Sequence, residues 1–164
     1  MEVFLVRHAI AHERNHARWP NDALRPLTAA GKDKFRRAAR GLAHCLPKSV
    51  VVLSSPYVRA RETAAILAAA LRRAKVVECS ELASHESAAK TFDLLRTRKE
   101  KAVVVVGHEP NFSTFLSAAL GGAHVRLEIE FKKGGAACIG FMKQIQPGRA
   151  TLRWMLPPRV LRGL

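Results

Sequence analysis

The sequence predicts an α/β fold: a three-layer α/β/α sandwich around a mostly parallel central sheet. Three observations carry this. Short runs of β-branched and apolar residues recur at 3–6, 50–53 and 103–106. Segments with helical spacing of apolar residues separate them. Each run gives way to small or polar residues and then a helix, the rhythm of strand, turn and crossover helix.

The elements follow in order. Val3-Phe4-Leu5-Val6 reads as a buried strand. Thr28 to Leu46 reads as a helix, with Phe35, Ala38, Ala39, Leu42 and Leu46 on one face and Lys32, Arg36, Arg37 and Arg40 largely off it. Val50 to Leu53 is a second buried strand. Pro56 to about Leu71 reads as an Ala-rich helix, with Ser55 as N-cap and Pro56 at its first position. Val76-Val77 suggests a short strand. Ser87 to Arg96 is a helix with Ala88, Phe92 and Leu95 inward, and Val103 to Val106 is a third strong strand. Pro110 to Leu120 is a helix closed by Gly121-Gly122. Ala136 to Met142 and Ala150 to Met155 form a closing strand pair. Pro157-Pro158 ends the regular structure, and the last residues read as a tail. No repeat or linker divides the chain, so one domain over residues 1–164 is expected.

The composition, 48% hydrophobic and 25% charged, is that of a water-exposed globular protein. No apolar run approaches the roughly 20 residues that span a bilayer. The N-terminus does not read as a secretory signal, because only four apolar residues precede Arg7. A cytoplasmic location is therefore expected. Cys45, Cys79 and Cys138 are odd in number and widely spaced, which suits reduced thiols better than a disulfide frame or a zinc site. The net charge of +15 fits a basic solvated surface, attraction of phosphorylated substrates, or a module that binds nucleic acid or another polyanion. The basic residues lack interleaved aromatic residues, which weakens the nucleic-acid alternative.

The chemistry gathers where strands end. Arg7 and His8 follow the first strand. Ser54, Ser55 and Arg59 follow the second, and Gly107 and His108 follow the third. Ligands of open α/β sheets sit beyond the carboxyl ends of the strands, so these groups should converge. Helix starts at Pro56 and Pro110 would aim N–H groups at the same place. Two arginines and two histidines suit a dianionic phosphate, since the guanidinium fork binds its oxygens bidentately. A neutral imidazole can attack phosphorus and carry the phosphoryl group until water releases it.

Four segments carry a resemblance. Leu5-Val6-Arg7-His8-Ala9 resembles the Arg-His-Gly signature of the histidine phosphatase superfamily, which includes the cofactor-dependent phosphoglycerate mutases. Leu27-Thr28-Ala29-Ala30-Gly31 is similar to its Leu-Thr-x-x-Gly helix start. Ser54 to Thr63 is similar to its Ser-x-x-x-Arg-Ala-x-x-Thr segment, and Val106-Gly107-His108-Glu109-Pro110 to its second histidine motif. The short length and Arg25-Pro26-Leu27-Thr28 resemble the SixA-type branch, the small phosphohistidine phosphatases. The resemblance implies a phosphoglycerate mutase-like fold and a metal-independent, cofactor-free phosphohydrolase. It implies His8 as nucleophile, Arg7 and Arg59 as phosphate-binding groups, and His108 as a further donor or charge. Its implied partner is a phosphorylated substrate, such as a histidine-phosphorylated signalling protein, with no nucleic acid and no membrane. The oligomeric state stays open. Ala9 stands where the signature has glycine, a change that either is tolerated in this branch or crowds the backbone near phosphate. Larger relatives use a glutamate after the third strand as proton donor, and Glu81 in Ser80-Glu81-Leu82 is the nearest match.

Other residues divide between chemistry and structure. Arg61 competes with Arg59 for the pocket, and family spacing favours Arg59. His8, His12 and His16 recur every four residues like metal ligands, yet no carboxylate or cysteine cluster accompanies them. His12 and His16 fit a pocket rim better. Trp19-Pro20 reads as a lid or as surface packing, and Arg25 as a substrate or pairing residue. Lys132-Lys133-Gly134-Gly135 lacks the P-loop pattern and reads as a turn into a strand.

Overall fold

The computed structural model describes residues 1–122 and 124–164. Its strands are β1 (Glu2–Arg7), β2 (Val51–Ser54), β3 (Val76–Glu78), β4 (Ala102–Gly107), β5 (Ala136–Phe141) and β6 (Ala150–Leu156). They form a six-stranded sheet in the order β3-β2-β4-β1-β5-β6. The first four in that order run parallel, while β5 and β6 join antiparallel.

Alternation along β1 builds the layers. Phe4 and Val6 face one side, Val3 and Leu5 the other. The first side is covered by α1 (Ala29–His44), α2 (Val58–Ala70) and a last turn, α5 (Pro158–Leu161). The second is covered by α3 (Ala88–Arg96) and α4 (Asn111–Gly121), whose Phe92, Phe112, Phe115 and Leu116 are buried there. The expected three-layer sandwich is present, with its core in two sheets of side chains above and below the strands.

The Leu-Thr-x-x-Gly segment has a physical cause. Thr28 Oγ1 accepts from the Gly31 N–H at 2.9 Å and caps α1. A Cβ on Gly31 would lie 2.1 Å from the Ile10 carbonyl oxygen, so only glycine lets helix and loop meet.

Two expectations are corrected. First, α2 starts at Val58 and not at Pro56, and its cap is Tyr57, not Ser55. Tyr57 keeps an extended backbone (ψ 136°), and the Ser55 hydroxyl is engaged by His108. The Ser55 hydroxyl thus serves His108 and, at 3.3 Å, accepts from the N–H of Tyr57 ahead of the helix. Second, the terminal residues are not a tail. Pro158 occupies the first turn of α5, a position that needs no N–H donor, and Leu161 is fully buried. Among the described residues, no helix is long and apolar enough to cross a membrane.

Candidate functional site

Sheet order explains why residues about 50 positions apart meet. β2, β4 and β1 are neighbours, with Ser54 opposite Val106 and Arg7 opposite Gly107. Past the strand ends, His8 N–H donates to the Gly107 carbonyl and Ser55 N–H to the Val106 carbonyl, each at 3.0 Å. The His8 and His108 rings come to rest 5.1 Å apart, centroid to centroid. His8 and His108 are buried, and Arg59 is 2% exposed.

The His8 tautomer follows from its partner. Nδ1 lies 2.7 Å from the Ala9 carbonyl oxygen, which can only accept, so Nδ1 holds the proton. Nε2 keeps its lone pair. Burial, then the charges of Arg59, Arg7 and Lys133, hold the His8 pKa down to about 3 against the hydrogen bond to Ala9. Burial and the neighbouring His8 and Arg59 push His108 down to about 2. Both rings are neutral near pH 7.

Arg59 enters the pocket from the first turn of α2. Its Nη1 donates to the Asp22 carbonyl at 2.9 Å, and Nη2 lies 3.1 Å from Asp22 Oδ2. The Tyr57 ring sits against the guanidinium, 4.9 Å from centroid to Cζ, and 5.1 Å from the His108 ring. Arg7 Nη1 donates to the Phe131 carbonyl at 2.5 Å. Burial is the first cause that lowers the pKa of both arginines, yet guanidinium stays charged. His108 Nε2 and Ser55 Oγ are 2.8 Å apart. Among the described residues, Arg7 Nε, Arg59 Nε and His108 Nδ1 are shielded from solvent and have no hydrogen-bond partner. An arginine Nε always carries a proton, so the pocket holds donors that lack an acceptor, as an oxyanion site requires.

The structure brings together His8, Arg59 and His108, with Arg7 close enough for its charge to act on His8. Arg61 points out and pairs with Glu78 at 3.4 Å. Arg25 is a pairing residue, its Nε 2.7 Å from Asp22 Oδ1. The Ala9 methyl joins the core cluster with Phe35, while its N–H donates to Thr63 Oγ1 at 3.0 Å. Glu81 lies in a single 3-10 turn, Ser80–Leu82, and its carboxylate accepts from Ser80 Oγ at 3.3 Å. Among the described residues, no hydrogen bond or ion pair joins Glu81 to His8, Arg59 or His108. Helix starts contribute less than expected. In α4 the Phe112 and Ser113 N–H groups are spent on the His108 carbonyl and Glu109 Oε1. Among the described residues, no group of three or more His, Cys, Asp or Glu is placed to hold a metal ion.

Sequence reasoning missed Asp22, Tyr57 and Lys133. Asp22 was readable only as a polar loop residue near Arg25. Lys133 reaches the site because Gly134, at φ +75°, folds the turn back so that its N–H meets the Arg7 and His8 carbonyls.

A family model described as the histidine phosphatase superfamily (branch 1) matches residues 3–86. An uncharacterized protein of Picosynechococcus is 33% identical over 167 residues, covering 96% of this chain and all of that one. A solved structure of the protein histidine phosphatase SixA with tungstate covers 98% of this chain and 99% of its own, with TM-score 0.81 at 23% identity. A candidate phosphohistidine phosphatase SixA from Agrobacterium tumefaciens gives TM-score 0.75 at 26% identity, over 96% of this chain and 97% of that one. A mycobacterial glucosyl-3-phosphoglycerate phosphatase shares the fold more distantly, with TM-score 0.70 at 16% identity over 95% of this chain and 99% of its own.

Proposed function

The chain belongs to the histidine phosphatase superfamily (branch 1), a phosphatase by fold and family, and we propose that it hydrolyses phosphohistidine in proteins or a small phosphomonoester through a phosphohistidine on His8. One observation carries the reading: Ala9 fixes the proton on His8 Nδ1, which leaves Nε2 as a free lone pair in a cationic, buried pocket. Attack of Nε2 on phosphorus expels the leaving group. Arg7, Arg59 and His108 take up the charge on the phosphoryl oxygens, and the donors without partners gain acceptors. Water then cleaves the phosphohistidine and yields inorganic phosphate.

We place the reaction in one domain spanning residues 1–164 and in the cytoplasm, where the three free thiols would stay reduced. No observation above favours the nucleic-acid alternative. Glu81 retains a role only through the resemblance, since Ser80 is the partner its carboxylate has.

Rapid quench with a labelled phospho-substrate tests the nucleophile. An acid-labile label on the peptide that contains His8 is expected. Label elsewhere, or full turnover by His8→Ala, would sink the assignment. Prolonged chelation should leave turnover unchanged, because arginines supply the charge that a metal would.

A further inference from the structure

Ser55, Arg59 and Thr63 recur every four residues, from the end of β2 into α2. Arg59 lines the phosphate pocket, and the hydroxyl residues on either side of it in the sequence are both fully buried. Each hydroxyl stands behind one histidine.

Thr63 Oγ1 donates to the Arg59 carbonyl at 2.7 Å and accepts from the Ala9 N–H at 3.0 Å. The first bond is the ordinary way a threonine satisfies itself within a helix. The second ties α2 to the residue after the nucleophile. Ala9 carries both the N–H that Thr63 holds and the carbonyl that accepts from His8 Nδ1. Thr63 therefore anchors the residue that keeps the His8 proton on Nδ1.

Ser55 works on the other ring. Its Oγ accepts from the Tyr57 N–H at 3.3 Å and lies 2.8 Å from His108 Nε2. Among the described residues no other acceptor is hydrogen-bonded to this hydroxyl, so its proton goes to Nε2. His108 is neutral near pH 7 and has one ring proton, which then belongs on Nδ1. The reverse arrangement would leave the Ser55 proton without an acceptor and the shielded Nδ1 without a donor, two unmet groups in place of one.

Resting on the phosphatase reading above, we propose that Ser55 and Thr63 are positioning residues that put the same tautomer on both histidines and turn it to opposite uses. His8, tied back through Nδ1, offers the lone pair of Nε2 to phosphorus. His108, tied back through Nε2, offers the Nδ1 proton to a phosphoryl oxygen. A neutral ring stabilises that oxygen only as a donor, so the Ser55 bond decides whether His108 contributes. The spacing of the segment follows from this. Arg59 binds the phosphoryl group, and a hydroxyl four residues to either side sets one histidine. No covalent bond is made or broken at Ser55 or Thr63.

Nitrogen NMR of isotope-labelled histidine rings, with titration by inorganic phosphate, tests this without turnover. Both rings should carry their proton on Nδ1 in the wild type. Ser55→Ala should move the His108 proton toward Nε2 and weaken phosphate binding about tenfold, the worth of a hydrogen bond to a charged group. Thr63→Val should leave phosphate affinity unchanged, because the donors stay in place. It should lower kcat for phenyl phosphate about tenfold or more, as a displaced attacking atom does, and Thr63→Ser should restore it. A ring proton on His108 Nε2 in the wild type would overturn the Ser55 assignment. Equal losses of phosphate affinity in Ser55→Ala and Thr63→Val, or no recovery in Thr63→Ser, would overturn the division of roles. Should a variant not fold, the wild-type ring spectrum decides. If the wild type cleaves no phosphate ester while the spectrum and the phosphate titration hold, the phosphatase reading fails and the positioning of the two rings stands.

Discussion

Asp22 grips Arg59 twice, through its backbone carbonyl at 2.9 Å and through Oδ2 at 3.1 Å. One loop residue thus sets the direction of the buried guanidinium. Arg25 holds the same carboxylate at 2.7 Å and keeps its carboxyl below the usual carboxylate range. Asp22→Asn preserves shape and the carbonyl contact but removes the charge. Hydrogen bonds to charged groups are worth about 1.5–3 kcal/mol, so kcat/KM should fall at least about tenfold even for phenyl phosphate. Steady-state kinetics on a folded variant checks this, and an unchanged kcat/KM would remove Asp22 from the positioning of Arg59.

The buried histidines predict the pH dependence of stability. His8 is held at about 3 and His108 at about 2, whereas an unfolded chain titrates them near their ordinary 6.5. Below that value the unfolded state binds more protons than the folded one. Stability is therefore fully present above about pH 6.5 and falls as pH drops toward 4, by up to about 1.4 kcal/mol per unit for each linked proton. The depressed Asp22 carboxyl adds a loss only at lower pH, as the solution passes below the unfolded carboxylate value. Urea unfolding from pH 7 to 4.5 should show the slope, and His108→Asn should make it shallower. A flat profile would contradict neutral burial of the pair.

The C-terminal turn offers a test of packing alone. Leu161 is fully buried in the cluster with Phe35, Ala38 and Leu42, far along the chain from every strand-end motif. Leu161→Ala should cost about 2–5 kcal/mol by unfolding, with kcat/KM for the folded fraction unchanged. A loss under about 0.5 kcal/mol, the usual limit for surface changes, would restore these residues to a tail.

These cases show what a sequence carries. Val3 to Val6 and Val103 to Val106 announce buried strands, because hydrophobicity and β-branching act locally. His8 and His108 could be placed together because strand order in α/β folds follows few rules. Leu161 was unreadable, since one leucine after a Pro-Pro pair carries no period. Ser55 looked like a cap because a hydroxyl before proline often is one, and only His108, 53 residues on, shows its other use. Asp22 opens a single 3-10 turn, Asp22–Leu24, and its carboxylate is held by Arg59 and Arg25 together. Its place is a tertiary fact with no local signal.

Glu81 is the last residue to decide. Resemblance makes it the proton donor, whereas the structure gives its carboxylate to Ser80 in a half-exposed turn. Leaving-group chemistry separates the two. A nitrophenolate departs with little proton help, and an alkoxide needs a great deal. An acid in that role would make Glu81→Gln slow an alkyl phosphate by about 10²-fold or more while sparing nitrophenyl phosphate. The placement of Glu81 predicts otherwise: both substrates should lose activity to the same small degree, with the pH profile of kcat unmoved. The reason is geometric, because an acid must reach the leaving atom directly or through one water. Among the described residues the Glu81 carboxylate has Ser80 Oγ as its hydrogen-bond partner, and no hydrogen bond or ion pair joins it to His8, Arg59 or His108. A selective loss on the alkyl ester in Glu81→Gln would reverse this and return Glu81 to the reaction.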